Sequence, residues 1–139
     1  EVTHELWKII LILAVAGALL KALAPGERAE EALTAASVVD FAQRTQHFPV
    51  DLGDGFRLDS IHAEGNAVVS TVTLLNEPAG PADPMMTAVL LTASKSDACR
   101  EIAIHKQAYI DAKLSLVKLY KNSGGGEIAR AVIDPAQCP

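Results

Sequence analysis

The stretch LWKIILILAVAGALLKALAP, Leu6 to Pro25, constrains this chain more than any other. Ile9 to Leu20 carries no polar side chain, and single lysines, Lys8 and Lys21, fence the run. Twelve helical residues rise only ~18 Å, short of a hydrocarbon slab ~30 Å thick. Counted from Leu6 to Ala24 the helix reaches ~28 Å, provided the two lysines snorkel to the headgroups. Trp7 then sits at one interface, where indole rings collect. A helix apolar all round suits a bilayer or a fully enclosed position better than a protein surface. The run therefore predicts a membrane-anchor helix over residues 1–25, built on Leu6, Trp7, Ile9, Ile10, Leu11, Ile12, Leu13, Val15, Leu19 and Leu20. Two other readings stay open. One is a signal sequence, although Ala22-Leu23-Ala24 followed by Pro25 is a poor cleavage site. The other is a helix that packs within a complex or a homo-oligomer.

Residues 26–139 read as one domain. The chain has 139 residues and a net charge of -5, and no lysine/arginine cluster stands out. Nucleic-acid binding, which needs a basic face, is not expected. Only 4% of residues are aromatic, so the expected core is aliphatic. The two cysteines, Cys99 and Cys138, are compatible with one disulfide or with two buried thiols of a cytosolic protein. A bridge would pin the last strand and contribute roughly 4 kcal/mol in the chain-entropy model. It would also set the topology. Lysines and arginines flank the apolar run too evenly to orient it, whereas a disulfide belongs in an oxidising compartment. The amino terminus is then inside and residues 26–139 are in the periplasm.

PGERAEEALTAASVVDFAQRTQHF predicts a helix, with Pro25 in the first turn and glutamates at its start. FRLDSIHAEGNAVVSTVTLLN predicts a β-hairpin turning at Gly65-Asn66, with a bulge or an edge between Leu58 and Ile61. Pro84, capped by Asp83, opens a helix running to Cys99, and REIAIHK adds a short helical turn. AYIDAKLSLVKLYKN and EIARAVID predict a second hairpin across SGGG. The expected fold is α+β: an antiparallel sheet of about four strands with helices packed on it, behind an amino-terminal hydrophobic helix.

Catalytic chemistry is hard to find. His4, His47, His62 and His105 are scattered, with no ligand spacing. SGGGE has the glycines of a phosphate loop but joins two strands and lacks the lysine. Asp51, Asp54 and Asp59 read as loop carboxylates. Ser60 and His62 share a strand face without an orienting third group. Met85 and Met86 read as core. No metal, cofactor or enzymatic activity is expected.

FPVDLGDGFRLDSIHAEGNAVVSTVTLLN, then AC at a helix end, then GGEIARAVIDPAQC, together resemble small bacterial envelope proteins. The pattern is similar to the β-type pilotins of type II secretion and related periplasmic lipoproteins, over roughly residues 30 to 139. In that family a helix-end cysteine and a carboxy-terminal cysteine form a disulfide, which the resemblance places at Cys99 and Cys138. It also implies a groove between helix and sheet for an amphipathic partner helix. Val38, Phe41 and sheet residues including Val132 are the expected lining, with plain core packing the alternative. The sequence departs from the family in having no lipidated cysteine and a hydrophobic anchor instead. The implied function is a non-catalytic protein of the bacterial inner membrane. It would span once and bind a partner protein in assembly of a secretion or other membrane complex. An accessory single-span subunit of a membrane enzyme, or an immunity protein against an exported toxin, are the alternatives.

Overall fold

The computed structural model describes residues 33–139. The predicted anchor helix lies outside these residues. Among the described residues no helix is long and apolar enough to cross a membrane.

Helix α1 spans Ala35–Thr45. The sequence placed its start at Pro25, and residues 25–32 are outside the described part. A capping box opens it: Thr34 Oγ1 accepts from the Ser37 amide at 3.0 Å, and Ser37 Oγ from the Thr34 amide at 2.9 Å. Two orphan amides are satisfied reciprocally. Ala35, Val38, Val39 and Ala42 turn inward at helical spacing.

Five strands follow: β1 (Val50–Gly53), β2 (Phe56–Glu64), β3 (Ala67–Leu74), β4 (Ser115–Lys121) and β5 (Glu127–Ile133), in spatial order β1-β2-β3-β4-β5. Both predicted hairpins are present. The expected irregularity in β2 falls between Leu58 and Ser60. The extra residue there is Asp59, whose carboxylate accepts from Arg57 Nε and Thr73 Oγ1, both at 2.5 Å.

Two expectations about the sheet are corrected. It has five strands, not four: β1 is a four-residue edge strand joined to β2 through Gly53-Asp54-Gly55, all three at positive φ. It is also mixed, because β3 and β4 are parallel. A pair of parallel neighbours needs a crossover connection. Helix α2 (Pro84–Ile102), a 3-10 turn (Ala103–His105) and helix α3 (Lys106–Asp111) supply it. Helix α2 runs three residues past its predicted end, and α3 occupies the start of the segment expected to be strand. Lys113, at φ 58, breaks the helix, and the Leu114 amide bonds back to the Tyr109 carbonyl. Regular pairing begins only at Ser115.

Both α1 and α2 pack on one sheet face. Leu58, Ile61, Val68, Val72, Leu116, Tyr120, Ala129, Ala131 and Ile133 form one cluster with Val38 and Val39 of α1 and Leu90, Ala98 and Ile102 of α2. Ile128, which a register shift between Tyr120 and Lys121 leaves without a cross-strand partner, also joins this core. Met86 packs against the core, but Met85 is exposed, contrary to expectation.

Candidate functional site

Helix α2 carries two features that bear on function, one on each side. Its inner face is polar. Ser94, Asp97 and Glu101 are buried among the apolar residues of the core. Opposite them β4 presents Lys118 and Tyr120. Lys118 Nζ lies 3.4 and 3.5 Å from the two Glu101 oxygens, with side-chain exposures of 1% and 0%. Ser94 Oγ and the Tyr120 hydroxyl are 2.6 Å apart. Asp97 reaches outward, accepting from Arg100 at 2.6 Å. Burial raises the pKa of the Glu101 carboxyl, and the Lys118 ammonium opposes that rise. Burial likewise raises the Tyr120 phenol and pushes Tyr109 up to about 12. The Lys118–Glu101 pair is sealed from solvent, and the Ser94 hydroxyl is engaged by the Tyr120 hydroxyl. The cluster ties α2 to the sheet rather than presenting a reactive group. No sequence signal separated these residues from an exposed helix face, because their partners lie 17 and 26 positions away.

The outer side of α2 meets the edge strand β5. A cleft of about 580 Å³ opens there, lined by Lys95, Ser96, Cys99, Arg100 and Ala103 from the helix side and Val132, Ile133, Asp134, Gln137 and Pro139 from the strand and tail. Cys99, one of the lining residues, is bonded to Cys138, with Cα atoms 5.4 Å apart. The cysteine pairing implied by the resemblance is therefore present. Lys106 Nζ donates to the Cys138 carbonyl at 3.0 Å and holds the tail in place.

The expected groove residues separate. Val38 is 3% exposed and sits in the core, and Phe41 packs at the edge of that core. Val132 is 56% exposed and pairs with Val117 on the opposite sheet face. Only Val132 lines the cleft.

The remaining candidates resolve into local structure. His62 is paired with Glu64 at 2.5 Å on the surface. Asp51 Oδ1 accepts from the Gly53 amide in the β1–β2 turn. In SGGGE the Asn122 side chain accepts from the Gly124 and Gly126 amides, as a hairpin turn. A Cβ at Gly126 would come within 3.0 Å of the Asn122 amide. Among the described residues no group of His, Cys, Asp and Glu is placed to hold a metal.

No family model and no curated relative matches the chain. Solved structures do. The pilotin of the Vibrio vulnificus type 2 secretion system, EpsS, is 20% identical, with TM-score 0.58 over 76% of this chain and 88% of its own. A second solved structure, of a Pseudomonas aeruginosa protein, is 8% identical, with TM-score 0.53 over 76% of this chain and 93% of its own. At these identities the likeness is one of fold: the described domain has the architecture of a type II secretion pilotin.

Proposed function

We propose that this chain is a non-catalytic envelope protein whose disulfide-bonded domain binds a partner protein during assembly of a secretion system or another membrane complex. The carrying observation is the pilotin fold, matched across most of both chains. The disulfide supports an oxidising compartment. The Leu6–Ala24 run, with Trp7 and the flanking lysines, would anchor the domain in the inner membrane, amino terminus in the cytoplasm.

Two measurements test this reading. Deleting the chromosomal gene should abolish either export of a secreted reporter or recovery of an assembled envelope complex, and a strain unaffected in both would sink the proposal. Alkaline carbonate extraction tests the anchor. The full chain should stay in the membrane pellet, and arginine at both Ala14 and Ala18 should prevent this, since each central charge costs ~3 kcal/mol on insertion scales.

A further inference from the structure

We propose that the cleft between α2 and the free edge of β5 receives a short apolar, acidic peptide segment of the partner, its carboxylates meeting Lys95 and Arg100. This rests on the binding role proposed above and adds the site and the chemistry.

The sheet order leaves β5 paired on one side only, with β4. Edge strands are usually blunted by charge. The first half of β5 is blunted in this way by Glu127 and Arg130, paired at 3.2 Å. The second half is not: Val132 stands 56% exposed beside the cleft. Ala103 and Ile133 extend this apolar floor.

The rim is cationic in a chain whose net charge is -5. Lys95 is exposed and forms no ion pair among the described residues. Arg100 bonds Asp97, yet its side chain remains 66% exposed. The one acidic side chain among the lining residues, Asp134, accepts from the Ala136 amide through one oxygen. An apolar floor beside the unpaired Lys95 and the exposed, singly paired Arg100 selects a segment mixing apolar and acidic residues, and like charges would be rejected.

A small metabolite fits less well. Pockets for such ligands enclose most of the ligand around convergent buried polar groups. Here the polar lining side chains Lys95, Ser96, Arg100, Asp134 and Gln137 are all exposed. A strand edge instead offers a peptide backbone bonds in register, with alternate side chains reading the flanks. The disulfide ties α2 to the tail that carries Gln137 and Pro139, so these lining residues are held before binding and less ordering cost falls on association.

The test uses the full chain in non-ionic detergent micelles and a fluorescein-labelled ten-residue peptide alternating leucine with glutamate, followed by anisotropy. A peptide with glutamine in place of glutamate is the control. The acidic peptide should bind at least tenfold more tightly than the control. Lys95→Glu and Val132→Asp should each weaken it about tenfold or more, with unchanged melting temperature. No binding, equal binding of the two peptides, or equal binding by wild type and both variants would each overturn the proposal, the last indicating partition into micelles. Complementation separates this from the broader reading. If the deletion has a phenotype and Val132→Asp still restores function, the cleft is the wrong site and the binding role stands.

Discussion

Helices α1 and α2 rest on the same face of one sheet and hold to it by opposite means. Under α1 the contact is aliphatic: Ala35, Val38, Val39 and Ala42 lie over Leu58, Ile61, Val68 and Val72. Fully burying each valine or leucine there is worth ~1.5–3 kcal/mol. Under α2 the contact includes Ser94, Asp97 and Glu101 against Tyr120 and Lys118. The outer face of α2 meanwhile exposes Met85 and Val89. An aliphatic contact is tolerant, because any helix of similar shape can slide over it. A buried charge pair is not, since a displaced α2 leaves two ions without partners. The cluster therefore specifies where α2 lies more than it strengthens the domain, and placement of α2 is what shapes the cleft along β5.

Breaking the charge pair should have the largest effect. Lys118→Met strands the Glu101 carboxyl in the core, and the domain should lose about 3–5 kcal/mol in urea unfolding. Replacing both, Lys118→Met with Glu101→Leu, should return stability to the wild-type value or above, because neither ion then has to be desolvated. If the double variant is as unstable as the single one, the pair contributes net stability and the specificity argument fails.

The same contrast explains what could be read in advance. The β2–β3 hairpin, the β4–β5 hairpin, the Asp83 cap and the irregularity after Leu58 all follow from local alternation, glycine turns and capping chemistry. The apolar face of α1 follows from its 3.6-residue period. By contrast, Ser94, Asp97 and Glu101 look like a solvated stripe until β4 supplies their partners. The parallel pairing of β3 with β4 is equally non-local. Two hairpins in one sheet can be joined either way, and the crossover through α2 and α3 decides it. Short α3 was masked by the β-like residues Tyr109 and Ile110. The groove expected at Val38 fails to reach Val132 for the same reason: facing across a sheet is a tertiary property.

Next in size is the disulfide, which ties the far end of α2 to the tail after β5. It spans 39 positions, and replacing both cysteines by serine should cost ~4 kcal/mol in the chain-entropy model. Loss should show first in faster amide exchange over Pro135–Gln137 and the end of β5, with α1 unaffected. Uniform loosening of both helices would mean the bridge acts only through the unfolded chain.

Alkali should cost the side of the core reached by α3, through Tyr109, ~3 kcal/mol that the α1 contact does not lose. The Tyr109 phenol is pushed to about 12, chiefly by burial and further by the Glu101 carboxylate. Its unfolded value lies near 10. Stability from this group is complete below pH 10 and is lost as pH rises through 12, because the unfolded chain releases the proton first. Tyr120, also raised, adds to the same trend. Tyr109→Phe should flatten the fall of melting temperature above pH 10 without altering it at pH 7. The α1 contact with β2 and β3 has no tyrosine and should add no slope of its own.

The smallest effect should fall equally on both helices. Thr34 caps α1 by accepting from the Ser37 amide, and Asp83 caps α2 by accepting from the Met85 amide at 3.0 Å. Removing such an acceptor leaves one terminal amide to water and costs ~1 kcal/mol. Thr34→Ala and Asp83→Ala should therefore destabilise by similar amounts in equilibrium unfolding, even though the interior contacts of the two helices differ. That equality matters to the comparison. If Asp83→Ala cost several times more than Thr34→Ala, α2 would depend on its amino-terminal turn for placement, and the Glu101–Lys118 pair about five turns along could not be what fixes it. Near-equal values leave the interior polar cluster as the feature that distinguishes the two helices.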